Sequence, residues 1–196
     1  RGQVVDAAMV DGSALLMAMI YGFKAGGTWQ DIRGVNLLDT GAYFYDTYET
    51  ADGKHVAIGA IEPQFYALLL ELTDIKDDDF QNQLDSAHWP LLKEKMSKVF
   101  KMKTRKEWCD ILEGSDACFT PVLSMAEAPE HPHMKARKTF TQVDGVMQPA
   151  PAPRFSRTKP NIKNPPPEPG QDTEAVLIEF GFTAKEIDAL RKANAL

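Results

Sequence analysis

The sequence has few cysteines and no long apolar run, and both absences narrow the class of protein. Cys109 and Cys118 are the only cysteines among 196 residues, too few for a disulfide framework, which favours a reducing compartment. The longest apolar run, Ala14 to Phe23, is about half of what a membrane-spanning helix needs. The chain also begins at Arg1 without an initiator methionine and runs directly into a predicted strand, which is typical of an internal start.

Basic excess and the common catalytic motifs are missing as well. The 22 Lys and Arg are outnumbered by 28 Asp and Glu, giving a net charge of −6, so neither a nucleic acid nor an anionic membrane is expected as a partner. There is no G-x-S-x-G elbow, glycine-rich phosphate loop or H-E-x-x-H sequence. His131 and His133 are separated by a proline and lack a second ligand pair, so no metal site is predicted.

The most informative segment predicts a strand (43–48), a turn at Asp52-Gly53, a second strand (55–60) and a helix. Pro63 suits the first position of that helix, because its missing N–H costs nothing there. Glu62 is therefore placed at the N-cap, where a carboxylate either caps the helix or takes part in chemistry; position alone favours the cap. Asp46 lies within the first strand, where an exposed position is favoured.

The remaining elements are predicted from periodicity and capping signals. A short strand (3–5) precedes a helix that Asp6 could cap and that is apolar on nearly every side to Phe23, so we expect it to be buried in a large core or between subunits. Further predictions follow in chain order: a connector (28–41), an amphipathic helix (88–100), a helix from a Thr104–Glu107 capping box, a strand (117–123) with Cys118 in the core, a hairpin at Asp144-Gly145, a proline-rich strap (149–170) and two terminal helices.

Four stretches, in order and over most of the chain, resemble the C-terminal half of α-methylacyl-CoA racemases, a branch of the family III CoA-transferase superfamily. They are residues 2–16, 33–66, 115–128 and 151–158. Residues 60–65, Ala-Ile-Glu-Pro-Gln-Phe, resemble the racemase form, whereas members that transfer CoA tend to carry an Asn-Asp-Arg-like segment there. The resemblance favours a racemase over a CoA-transferase, and a non-catalytic dimerisation module is a further alternative.

The resemblance implies a 1,1-proton transfer at the α-carbon of a 2-methylacyl-CoA thioester. The thioester acidifies this proton, and the enolate intermediate needs a preorganised, partly dry pocket. In the family the acid–base pair is a histidine and an aspartate that lie upstream of Arg1, so we expect this chain alone to be inactive. No metal or organic cofactor is implied, because CoA belongs to the substrate.

The matching positions imply the acyl side of the pocket. Glu62 corresponds to a family acid close to the catalytic pair, which it could orient or tune. Asp46 is a weaker candidate for the rim of the same pocket. Four further residues match an apolar surface on which an acyl chain can slide: Met9, Leu38, Tyr45 and Ile61.

The implied fold is an interlocked homodimer in which each subunit combines a large doubly wound α/β domain with a smaller α+β domain. Five parts of this chain are predicted: a strand and apolar helix that complete the large domain (1–27), a connector (28–41), the small α+β domain (42–125), a hairpin and proline-rich return strap (126–170) and C-terminal helices (171–196). The tail is similar to that of bacterial members, which favours the cytoplasm, with the peroxisome or mitochondrion as the alternative in a eukaryote.

Overall fold

The structure is a computed structural model that describes residues 2–196, and it divides into two compact units, 1–123 and 124–196. The first contains a three-stranded antiparallel sheet and the second a two-stranded one, with helices around both. The α+β class predicted from the sequence is therefore confirmed. None of the helices in the described part of the chain is both long and apolar enough to cross a bilayer.

The N-terminal segment differs from its prediction. Residues 3–5 form no strand, since no other strand of residues 2–196 lies beside them to share hydrogen bonds. The predicted single helix is divided at Met17 into α1 (Met9–Leu16) and α2 (Ala18–Ala25), and Ala8 rather than Asp6 is the N-cap. Neither helix contains a buried residue in this chain. The burial of these two helices against further protein stays a prediction.

The connector between α2 and the first sheet is organised by the side chain of Asn36, which is almost fully buried. Its Nδ2 donates to the carbonyl oxygens of Gln30 at 3.0 Å and Ile32 at 3.1 Å, and to the Asp39 carboxylate at 2.7 Å. The backbone N–H of Gln30 donates to Asn36 Oδ1 at 2.7 Å. These bonds replace the regular ladder that the segment lacks, so the connector has a defined shape without a helix or strand.

The sheet of the first unit confirms the predicted strand–turn–strand. Its strands, in spatial order, are β1 (Tyr45–Glu49), β2 (His55–Gly59) and β3 (Phe119–Val122). Gly53 has a φ of 73°, which the turn between β1 and β2 requires and which glycine adopts without strain. Pro121 lies in β3, an edge strand, as its missing N–H predicts.

Three helices, α3 (Pro63–Leu72), α4 (Trp89–Phe100) and α5 (Arg105–Leu112), share one core with the sheet. The strands contribute alternate residues to it: Tyr48, Val56 and Ile58. Phe100 illustrates the packing, since its ring stacks on Tyr48 at 5.3 Å between centroids and meets Trp108 edge-on at 5.2 Å. Burying an aromatic ring of this size contributes about 2 kcal/mol.

The second unit contains the predicted hairpin and terminal helices. Its elements are α6 (Pro132–Arg137), β4 (Phe140–Val143), β5 (Val146–Pro149), α7 (Thr173–Glu179) and α8 (Ala184–Lys192), with 3₁₀ turns at Ala128–Glu130 here and at Asp78–Gln81 in the first unit. The β4–β5 turn has positive φ at Asp144 and Gly145, as a two-residue hairpin prefers. Capping boxes begin α8 here and α5 in the first unit, the one at α5 as predicted. Between β5 and α7 the chain forms no helix or strand.

Candidate functional site

The outer face of the three-stranded sheet carries a groove of about 430 Å³. Alternation places Tyr45, Thr47, Ala57, Gly59 and Thr120 on this face, opposite the side chains that enter the core. Of the outward-facing residues of the central strand, only the small Ala57 and Gly59 line the groove, so its floor is low between the neighbouring strands. The full lining is Leu38, Thr40, Tyr45, Asp46, Thr47, Ala57, Ile58, Gly59, Cys118 and Thr120.

Tyr45 and Leu38 form the large apolar part of the groove. Tyr45 is paired across the strands with Gly59, and a Cβ added to this glycine would lie 3.6 Å from two carbons of the tyrosine ring. The ring therefore lies over the glycine, at ordinary contact distance from where a side chain would begin. Leu38 comes from the connector fixed by Asn36. The structure thus brings together two of the residues predicted for the acyl surface.

Asp46 lies at the wall of the groove, and the prediction that it is exposed is wrong. Its side chain is 8% exposed and forms an ion pair with Lys93 of α4, whose side chain is 37% exposed. Lys93 Nζ also donates to the carbonyl oxygen of Thr40 at 2.6 Å. Because Asp46 is two residues from Tyr48, it turns toward the helices, and the ion pair joins strand, helix and connector.

Glu62 occupies the predicted position but not the predicted bond. It is the N-cap residue of α3, with extended backbone angles (φ −71°, ψ 141°) and Pro63 following. Its exposed side chain makes no hydrogen bond to the first turn of the helix. The capping interpretation that position alone favoured is therefore not supported by the geometry.

Cys118, expected in the core, is exposed and lines the groove. It precedes β3 with a φ of 51°, a left-handed conformation outside the alternation of the strand. Its carbonyl oxygen accepts the N–H of Gly59 at 2.9 Å. Partial burial, and then the nearby carboxylates of Glu62 and Asp116, raise the pKa of the Cys118 thiol. Glu62 therefore lies close to the Cys118 end of the groove.

The backbone before Glu62 is held by a residue that the sequence did not suggest. Gln83 Nε2 donates to the carbonyl oxygens of Ala60 at 2.9 Å and Ile61 at 3.0 Å. The N–H of Ile61 donates to the carbonyl of Gly59 at 2.9 Å. Gln83 lies in a polar loop, and no local pattern distinguishes it from the other glutamines; Lys93 was equally inconspicuous.

The other predicted positions lie outside the groove. Ile61 is half-buried beside Glu62 and packs against the core, and Met9 is 88% exposed on α1. Among residues 2–196 no three His, Cys, Asp or Glu side chains converge closely enough to hold a metal ion.

Family membership follows from comparison with known proteins. Residues 1–173 match the model of CoA-transferase family III, so the chain belongs to this family. A solved CAIB/BAIF family protein from Brucella suis shares the fold, with a TM-score of 0.69 at 21% identity over 91% of this chain and 48% of that one.

Within the family, the chain is similar to racemases. It is 47% identical over 190 residues to the alpha-methylacyl-CoA racemase of Mus musculus and 45% identical over 190 residues to that of Homo sapiens. Each match covers 95% of this chain and 50% of the relative, so the chain spans about half the length of the curated relatives it matches. The resemblance inferred from the sequence is confirmed.

Proposed function

We propose that this chain is the C-terminal part of a 2-methylacyl-CoA racemase, an isomerase that acts on an acyl-CoA thioester. The observation that carries the proposal is the identity of 45–47% to alpha-methylacyl-CoA racemases over 95% of the chain. The substrate class is an acyl-CoA, and no nucleic acid or membrane is proposed as a partner. The favoured compartment is the cytoplasm, with the peroxisome or mitochondrion as the alternative in a eukaryote.

The proposed reaction removes the α-proton of the thioester and returns a proton from the opposite face. One base takes the proton, the electron pair delocalises into the thioester carbonyl as an enolate, and a second group protonates the α-carbon. We assign these two steps to a histidine and an aspartate that precede residue 1. This chain then supplies the surface that holds the acyl group and the residues that orient the catalytic pair.

The groove on the outer sheet face suits an acyl chain that has to move between two bases. Leu38 and Tyr45 offer apolar contact, and the low floor at Ala57 and Gly59 leaves depth for a methyl branch. Contacts of this kind are non-directional, so an acyl chain can shift along the groove without losing a hydrogen bond. Met9 and Ile61 lie outside the groove in this chain and are proposed to add apolar contact beyond its edge, while Asp46 would contribute to its rim.

Glu62 is proposed to orient or tune the catalytic pair. Its carboxylate makes no capping bond, while the backbone that carries it is fixed by Pro63 and by Gln83. A rigid backbone with an uncommitted carboxylate is what a supporting acid at a reaction centre requires.

The test is Glu62→Gln in the longer protein, meaning this chain together with the proposed preceding residues. It is assayed by NMR for α-proton exchange of a 2-methylacyl-CoA in deuterated water. We expect the rate to fall about tenfold or more, as for loss of a group that assists proton transfer, with the melting temperature unchanged because no capping bond is lost. Glu71→Gln, the same change at an exposed position of α3, is the control. A stability loss with an unchanged rate would restore the capping interpretation.

The proposal further includes the interlocked homodimer and the large α/β domain of the family. The exposed apolar side chains of α1 support this, since Met9 is 88% and Leu16 85% exposed and a helix of this composition needs cover. A non-catalytic dimerisation module would use the same surface. A monomer at high concentration in size-exclusion chromatography would contradict both ideas.

A CoA-transferase is the alternative activity, favoured by the name of the family that matches residues 1–173. It would form a covalent acyl intermediate on the catalytic aspartate and exchange CoA between two acids. Incubating the longer protein with an acyl-CoA and a second free acid distinguishes the two activities: a racemase yields the epimer, and a transferase yields a new thioester.

A further inference from the structure

Gln83 lies between the 3₁₀ turn Asp78–Gln81 and α4, yet its side chain reaches the segment that carries Glu62. Its amide nitrogen donates to the carbonyl oxygens of Ala60 at 2.9 Å and Ile61 at 3.0 Å. The indole Nε1 of Trp89 donates to the carbonyl oxygen of Gln83 at 2.9 Å. Gln83 is therefore hydrogen-bonded to α4 through its backbone and to the corner between β2 and α3 through its side chain.

The chemistry of this contact suits a side-chain amide. Both acceptors are carbonyl oxygens, and the NH₂ group of glutamine presents two donors on one atom, one for each. Ala60 is fully buried, so its carbonyl cannot turn to water, and removing a partner from a buried acceptor leaves a desolvated group without a bond. Without Gln83 we expect the corner to shift until these carbonyls find other donors.

We propose that Gln83 is a positioning residue for Glu62. By holding the carbonyls of the two residues directly before Glu62, it fixes where the carboxylate stands relative to the reacting groups. The inference rests on the proposed role of Glu62 in the racemase. A misplacement of about 1 Å in such a group can cost about a hundredfold in rate, so a bond that does not touch the substrate can still control turnover.

The experiment compares Gln83→Met with Gln81→Met in the longer protein. Methionine keeps the length and flexibility of glutamine but donates no hydrogen bond. We expect Gln83→Met to lower kcat about tenfold or more, with KM within about twofold, because the two carbonyls that Gln83 holds belong to residues that do not line the groove. Gln81→Met makes the same chemical change at an exposed side chain two residues away and is expected to leave kcat unchanged. A wild-type kcat for Gln83→Met would overturn the inference.

A double-mutant cycle separates positioning from a general structural effect. In a Glu62→Gln background, Gln83→Met should lower kcat by less than about twofold further, since the group it positions is no longer active. A full additional loss in that background would overturn the inference while leaving the proposed function intact. If Glu62→Gln alone keeps the wild-type rate, the role of Glu62 fails and the inference fails with it.

A second variant keeps the test decisive if Gln83→Met does not fold. Gln83→Glu has the same shape, but its ionised carboxylate faces two carbonyl oxygens and donates nothing, whereas its protonated form can donate one bond. Relative to wild type at each pH, its kcat should recover several-fold as the pH falls and the introduced carboxyl is protonated. A ratio to wild type that stays flat with pH would contradict the proposed bond.

Discussion

Gly41 is the position at which adding a single methyl group should destabilise the connector most. A Cβ added there would lie 2.4 Å from the carbonyl carbon of Val35 and 2.5 Å from the carbonyl oxygen of Asn36. Real Cβ atoms essentially never approach another heavy atom closer than 3.0 Å, and both neighbours are backbone atoms that no rotamer change can move. Gly41→Ala must therefore displace the Val35–Asn36 segment.

The loss in the free energy of unfolding can be estimated from the hydrogen bonds of Asn36. Its side chain makes four hydrogen bonds within the connector, and a shift of about 1 Å would break two or three of them at about 1 kcal/mol each. We therefore expect the first unit to lose about 2 to 3 kcal/mol. With a urea m-value of about 1.5 kcal/mol per molar, the midpoint should fall by more than about 1 M.

Tryptophan fluorescence measures this loss selectively. Trp29, Trp89 and Trp108 are the only tryptophans of the chain, and all lie in the first unit. The matched control is Gly22→Ala in α2, where no atom lies within 4 Å of the added Cβ, so its midpoint should not fall. A Gly41→Ala midpoint within about 0.3 M of the wild type would refute the reasoning, because it would mean that the connector yields at little cost.

Three further predictions concern the groove and the catalytic groups. Lys93→Met should destabilise the first unit by about 2 kcal/mol, less than for a fully buried pair because Lys93 is partly exposed. Lys98→Met, the same change at an exposed position of α4, should leave the stability unchanged. Equal urea midpoints for the two variants would contradict a stabilising role of the Asp46–Lys93 ion pair. Iodoacetamide at pH 8 should alkylate Cys118 more slowly than free cysteine, because burial and then Glu62 raise the pKa of its thiol and leave less thiolate. Glu62→Gln should accelerate this alkylation. Peptide mapping distinguishes modified Cys118 from modified Cys109, whose pKa burial raises to about 11. The 196-residue chain alone should exchange no α-proton of a 2-methylacyl-CoA; turnover by it would disprove the assignment of the acid–base pair to preceding residues.

Local signals in the sequence were sufficient for the elements that begin and end within a few residues. Asp52-Gly53 predicts the β1–β2 turn because glycine supplies the positive φ, and the Thr104–Glu107 box predicts the start of α5 because two side chains satisfy two backbone amides. The strand at residues 3–5 and the burial of α1 and α2 depend instead on partners, and none lies within residues 2–196 to provide them. A sequence pattern indicates which packing or hydrogen-bonding partners a segment requires, and the rest of the fold determines whether those partners are present.

The candidate site was less accessible to sequence reasoning, because its geometry depends on contacts between distant residues. Leu38, Tyr45 and Asp46 were found through resemblance, and the structure gathers them in one groove. Gln83 and Lys93 act on residues far away in the sequence, so their roles leave no periodic or local trace. Asp46 was misjudged for the same reason, since only the position of α4 reveals that its side chain has a counter-ion.

The pairing of Tyr45 with Gly59 makes the loop at the other end of these strands a determinant of the shape of the groove. Ala57 and Gly59 face outward only in this register, and a slip by one residue would exchange the two faces of β2. An insertion of one residue near the loop 50–54, if absorbed by the strands, would point Val56 and Ile58 into the groove and fill it. Insertions of two residues would preserve the face. The length of the turn thus controls the shape of the groove without any substitution in β1 or β2.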